Sequence, residues 1–187
     1  MGVNIVSNTK GILWKTKTYL VGHIQYQNGR DWRNYVSSQL MPRGITCLDP
    51  YHKPFVDDVS EDETVRSSLL ASMEEGDYDK VAQRMWPVRS FDLRCVDLSD
   101  FLIAHISPSI ASWGSAEELT VAVKEKKVIF LSVEGGKKKT PLWIMGMLPH
   151  KYIYNSIEES VEMVKMIDDG IVAIDSGRWK LLQMQYR

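Results

Sequence analysis

Only two cysteines, Cys47 and Cys95, occur in the 187 residues, too few for a disulfide framework or a cysteine-ligated zinc cage. Each sits in an apolar run, where a buried free thiol is the usual occupant, and a reducing cytosol is the expected setting. Long apolar runs are also missing. Phe101–Ile106 and Val128–Val133 are far shorter than the roughly 20 residues of a membrane-spanning helix. Asn4, Ser7, Asn8 and Lys10 interrupt what would be the core of an export signal, so neither a membrane nor an export address is expected. Charge of one sign is scarce too: 23 Lys plus Arg stand against 24 Asp plus Glu, a formal net charge of -1. No global field draws in a phosphate backbone, which disfavours a nucleic-acid polymer as partner. There is no internal repeat and no low-complexity tract. What is present is ordinary globular usage, 44% hydrophobic and 25% charged, which excludes a disordered, collagen-like or coiled-coil chain. The length suits one domain with its own core.

Strand and helix signals alternate along the chain. Residues 18–24 (TYLVGHI) read as a buried strand ended by polar Gln25, Asn28 and Gly29. From Asp31, a candidate N-cap, Trp32, Tyr35, Val36 and Leu40 have helical spacing, with Pro42 and Gly44 as the stop. Residues 45–48 read as a second strand closed by Asp49 and Pro50, and residues 50–61 as an irregular crossing. Ser60 and Glu63 have the spacing of a capping box opening a helix to about Met73, and a second helix is expected over 78–85. A helical insertion over about 55–87 follows from this. After Pro87, residues 88–99 suggest a further helix leading into the apolar strand 101–106. A helix over 116–126 separates that strand from the next, 128–133, and a short strand at 152–154 precedes a helix over 157–167. The pattern predicts an α/β fold, a Rossmann-like (flavodoxin-like) parallel sheet of about five strands with helices on both faces.

In such sheets ligands bind beyond the carboxyl ends of the strands, where strand order reverses. That selects three loops: residues 22–30, which contain Gly22, His23 and Ile24; residues 49–54, which begin with Asp49; and residues 107–114, which end in Ser112, Trp113 and Gly114. Gly114 at a helix entry lets a ligand approach the backbone closely. Glu117 and Glu118 follow in the first turns, where acids also simply complement the helix dipole. Asp92 stands eight residues before Asp100. It is either a solvated helix-face acid or a cleft carboxylate that, with Glu118, makes the pair glycosyl chemistry needs. Asp97 reads as a solvated face residue and Asp100 as a turn or cap.

Tyr19-Leu-Val-Gly22, Asp92-Leu93, Ser99-Asp100 before an apolar strand, and Gly114-x-x-x-Glu118-Leu-x-x-Ala122 together resemble the nucleoside 2-deoxyribosyltransferase superfamily, which includes the deoxynucleoside monophosphate N-glycosidases. The resemblance spans roughly residues 19–133. It implies that Glu118 is the nucleophile attacking the anomeric carbon of a 2-deoxyribose, that Asp92 assists the departing base, and that Tyr19 orients the nucleophile. It assigns substrate contacts to Gly22 and to Ser112, the latter matching a phosphate-contacting serine of the monophosphate-using branch. His23 follows Gly22 where that branch has a small hydroxyl residue, which leaves free nucleoside and monophosphate both open. The implied partners are a small nucleoside or nucleotide and a free base, with no cofactor. A second class, a non-catalytic nucleotide-sensing module on the same fold, stays open beside the enzyme. Tyr26, Trp32 and Trp113 flank the expected cleft and suit base stacking.

The four histidines, His23, His52, His105 and His150, lack close metal-ligand spacing, so no metal is expected. Gly135-Gly-Lys-Lys-Lys139 lacks the spacing of a nucleoside-triphosphate loop and reads as a solvated turn. Residues 141–147 (PLWIMGM) are apolar enough for burial or for a subunit contact, since transferases of the resembled family form dimers or larger oligomers.

Overall fold

A computed structural model describes residues 10–24, 28–51, 63–110 and 112–173. The elements run β1 (Lys17–Gly22), α1 (Asn28–Leu40), β2 (Thr46–Leu48), α2 (Glu63–Glu74), α3 (Tyr78–Leu98), β3 (Phe101–Ile106), α4 (Trp113–Lys124), β4 (Val128–Val133), α5 (Leu142–Met147), β5 (Ile153–Tyr154) and α6 (Ile157–Asp168). The strands form one sheet in the order β2-β1-β3-β4-β5, every neighbouring pair parallel. Tyr19 lies beside Leu102, Gly22 beside His105, and His105 beside Ser132. This is the α/β architecture the alternating pattern predicts.

The apolar runs are continuous because the inner strands are covered on both faces. Helices α1 and α6 pack on each other, as do α3 and α4. Every residue of β4 is buried, and Phe101 and Phe130 meet edge to face at 5.8 Å in the middle of the core. Each such ring contributes roughly 1.5–3 kcal/mol by leaving water. Ser132, the one polar side chain in β4, donates to the Ala104 carbonyl at 3.2 Å and bonds His105 Nδ1 at 2.8 Å, so its burial leaves no orphan. At the other end of the sheet, Asp100 accepts from the Lys17 amide at 2.7 Å through its side chain and donates to the Lys17 carbonyl at 2.8 Å. It is the strand-opening turn residue its position suggests.

Three expectations are corrected. Helix α1 begins at Asn28, so Asp31 lies in its first turn and is not the N-cap; there the carboxylate still faces the positive end of the helix dipole. Pro87 does not end a helix, because α3 runs unbroken through it from Asp77, whose side chain accepts from the Lys80 amide. Burial of Val88, Cys95 and Val96 beyond the proline outweighs the ~3 kcal/mol that an interior proline costs. Residues 141–147 are not buried: α5 leaves Leu142 90% and Trp143 84% exposed. The stop after α1 does hold, with Gly44 at φ 78, a conformation that favours glycine. Ser60, Tyr26 and most of the crossing 50–61 lie outside the described residues.

Candidate active site

The chain leaves β1 for β2 on one side and returns past β1 to β3 on the other. The loops beyond these two strands therefore diverge and open a crevice. A cleft of about 580 Å³ lies there. Tyr19 and Glu118 line it together with Gly22, His23 and Ile24 from the loop after β1. Helix α3 contributes Ala82, Met85, Trp86, Arg89 and Asp92, and the start of α4 contributes Ser112, Trp113, Gly114 and Glu117.

Tyr19 is buried in β1, and its hydroxyl donates to Glu118 Oε1 at 2.8 Å. Burial, with the Glu118 and Asp92 carboxylates nearby, holds the Tyr19 phenol well above its ordinary value. It stays a donor at neutral pH, and its bond fixes one oxygen of a carboxylate that is itself only 7% exposed. Removing a carboxylate from water is costly unless it gains partners, and a group so held is stiff and oriented. Asp92 reaches the same cleft from α3, half-buried. Two carboxylates from different elements thus share one concave, partly dry site, which suits nucleophilic and acid-base chemistry.

Glu117, adjacent in sequence, is held apart from this pair. Arg89 grips it with both arms, Nε donating to Oε2 at 2.8 Å and Nη2 to Oε1, and this fork holds the Glu117 carboxyl below the usual carboxylate range. Both side chains are substantially exposed, so the pair closes the mouth between α3 and α4 with little energetic weight.

The remaining expected residues divide. Ser112 lines the cleft and also caps α4, accepting from the Ser115 amide at 3.3 Å. Gly114 faces open space, since a Cβ there would meet nothing within 4 Å. At Gly22 a Cβ would fall 2.4 Å from the His105 carbonyl oxygen, so close approach of β1 to β3 requires the glycine. Asp49 is not among the cleft-lining residues; its Oδ1 lies 3.7 Å from Arg33 Nε. Trp113 stands at the mouth, 88% exposed, whereas Trp32 is buried beneath Gly22 and against His105, away from the lining. Arg89, Trp86, Met85 and buried Arg33 were missed. Arg89 and Asp92 are three apart and share a helix face, a spacing already present in the helix expected over 88–99, whereas the expected break at Pro87 separates Met85 and Trp86 from them. Among the described residues no group of three or more His, Cys, Asp or Glu side chains is placed to hold a metal ion. No described helix is long and apolar enough to cross a membrane.

No protein-family model and no curated protein matches the sequence. Among solved structures, a 2-deoxyribosyltransferase from the psychrotolerant bacterium Bacillus psychrosaccharolyticus matches 76% of this chain and 88% of its own. Its identity is 16% and its TM-score 0.54. A conserved protein from Enterococcus faecalis V583 matches 81% of this chain and 98% of its own, at 18% identity and a TM-score of 0.51. At these identities the likeness is one of fold.

Proposed function

We propose that this chain cleaves or exchanges the N-glycosidic bond of a 2-deoxyribonucleoside or its 5′-monophosphate by a retaining double displacement. In the first step a Glu118 carboxylate oxygen bonds to the anomeric carbon as the bond to the base nitrogen breaks. The departing base takes a proton from Asp92. In the second step water or another base attacks the same carbon while the Asp92 carboxylate takes its proton, the glycosyl ester breaks, and Glu118 leaves as carboxylate. The oxocarbenium-like transition state is stabilised by the adjacent negative charge, and the leaving base needs the acid because its anion is a poor leaving group.

The observation that carries this reading is the 2.8 Å hydrogen bond from the buried Tyr19 hydroxyl to Glu118, in a cleft that Asp92 also lines. A 2-deoxyribosyltransferase with the same fold supports it. Incubation with each of the four common deoxynucleosides and their monophosphates, with and without a second free base, tests it by chromatography. Release or exchange of base is expected, and its absence across the whole set would overturn the reading. Glu118→Ala is expected to abolish turnover while keeping the fold, read as an unchanged far-UV circular dichroism spectrum. Asp92→Asn is expected to slow single-turnover cleavage by about 10²–10⁴-fold; an unchanged rate would remove Asp92 from the mechanism.

A further inference from the structure

Arg33, in α1, is fully buried, and its guanidinium meets backbone rather than solvent. Nη2 donates to the Gly22 carbonyl at 2.8 Å; Nη1 donates to His23 at 3.1 Å and to Gly29 at 2.7 Å; Nε reaches Leu20 at 3.4 Å. The plane lies 4.4 Å from the Trp32 ring centre and 5.3 Å from that of Tyr51. Asp49 supplies the countercharge at 3.7 Å. Burial works against the charge on Arg33 and Asp49 works for it. Tyr51, two residues past Asp49, donates its hydroxyl to the Ile24 carbonyl.

Gly22, His23 and Ile24 are three consecutive wall residues of the cleft, and all three of their carbonyls are held by these two side chains. A chain leaving a sheet loses its ladder partners, and buried carbonyls need replacements. A planar five-donor fork is suited to supplying several at once. Gly29 belongs to the same device: a Cβ there would stand 2.7 Å from the His23 carbonyl oxygen and 3.1 Å from the Tyr51 hydroxyl.

We propose that Arg33 is a positioning residue for the cleft: with Asp49 as counter-ion and Tyr51 as second hold, it locks residues 22–24 at the end of β1 to residues 49–51 after β2 and so sets the wall against which substrate binds. The substrate part rests on the function proposed above; the locking part does not. Asp49 thereby acts through Arg33 rather than by touching substrate.

Arg33→Lys, Gly29→Ala and Tyr51→Phe in the full chain test this by amide hydrogen exchange and by titration with 2′-deoxyadenosine and its 5′-monophosphate. Each variant is expected to speed exchange of the amides at 22–24 by about 10-fold or more, while Val128–Val133 stays within about twofold of the parent. Affinity for whichever compound the parent binds is expected to fall by about 10-fold. Gly29→Ala is the sharpest arm, because alanine inside a helix ordinarily firms it, the opposite of the loosening expected here. Equal acceleration in β4 would make Arg33 a general fold residue and overturn the proposal, as would unchanged exchange at 22–24. Tyr51→Phe removes a single hydroxyl and keeps the test decisive if Arg33→Lys does not fold. Local acceleration, in a parent that binds neither compound, upholds the lock and counts against the nucleoside reading alone.

Discussion

Tyr19 and Glu118 are 99 positions apart and meet through one hydrogen bond at the floor of the cleft. Tyr19→Phe removes that donor from a buried carboxylate. It is expected to cost about 1–3 kcal/mol of stability and, under the proposed mechanism, to slow single-turnover cleavage by up to ~10²-fold through misplacement of Glu118. Thermal melts and rapid-quench kinetics on the same preparation separate the two effects. A second residue-scale consequence concerns alkaline pH. Burial pushes the Cys47 thiol from its ordinary 9.0 up to about 11. The folded state favours the neutral thiol, so this contribution is intact below pH 9 and is lost as the pH rises through about 11. The loss amounts to about 3 kcal/mol by linkage. Tyr19, also raised by burial, acts in the same direction. Urea midpoints at pH 8, 10 and 11 are expected to fall more steeply for the parent than for Cys47→Ala. Parallel curves would show that the thiol does not take part.

At the scale of elements, α3 does two jobs that pull against each other. Its C-terminal half is clamped by the burial of Cys95 and Val96 and delivers Asp92 to the cleft, while its first half is mostly exposed and carries Met85 and Trp86 along the cleft wall. Pro87 sits between the halves, removing one backbone donor from the helix. Pro87→Ala is expected to raise stability by about 1–3 kcal/mol, read as a higher midpoint in thermal unfolding. A lower midpoint would mean that the burial of Val88 depends on the interruption. Helix α4 starts where it does because Ser112 caps it, which fixes the register that turns Glu118 toward Tyr19 and Glu117 toward Arg89. Ser112→Ala is expected to cost about 1 kcal/mol, measured by the same unfolding curves.

At the scale of the whole molecule, α5 presents an exposed apolar surface. Leu142 and Trp143 are almost fully exposed, and Trp143 borders an apolar groove of about 350 Å³ that includes Ile106, Leu119 and Ile144. Groove and cleft share His23, Ile110, Ser112 and Ser115. A contiguous apolar surface beside a ligand-sized cleft is the kind a second copy covers. Light scattering is therefore expected to give a dimer or larger assembly, and Trp143→Glu a monomer. A monomeric parent would refute this assignment. Much of the molecule was legible beforehand: the apolar runs of β3 and β4 announce strands covered on two faces, and their alternation with helical segments leads to a parallel sheet and a crevice beyond its carboxyl edge. Glycine, proline and capping serines mark where most elements stop and start, because those effects are local in the chain. The pairings were decided elsewhere. Arg89 with Glu117 and Arg33 with four carbonyls join residues whose side chains carry no mark of their partner, and Tyr19 with Glu118 was legible only through the family resemblance. Direction and burial at those positions depend on which strands lie side by side and which helices face each other, and only the packed fold supplies that.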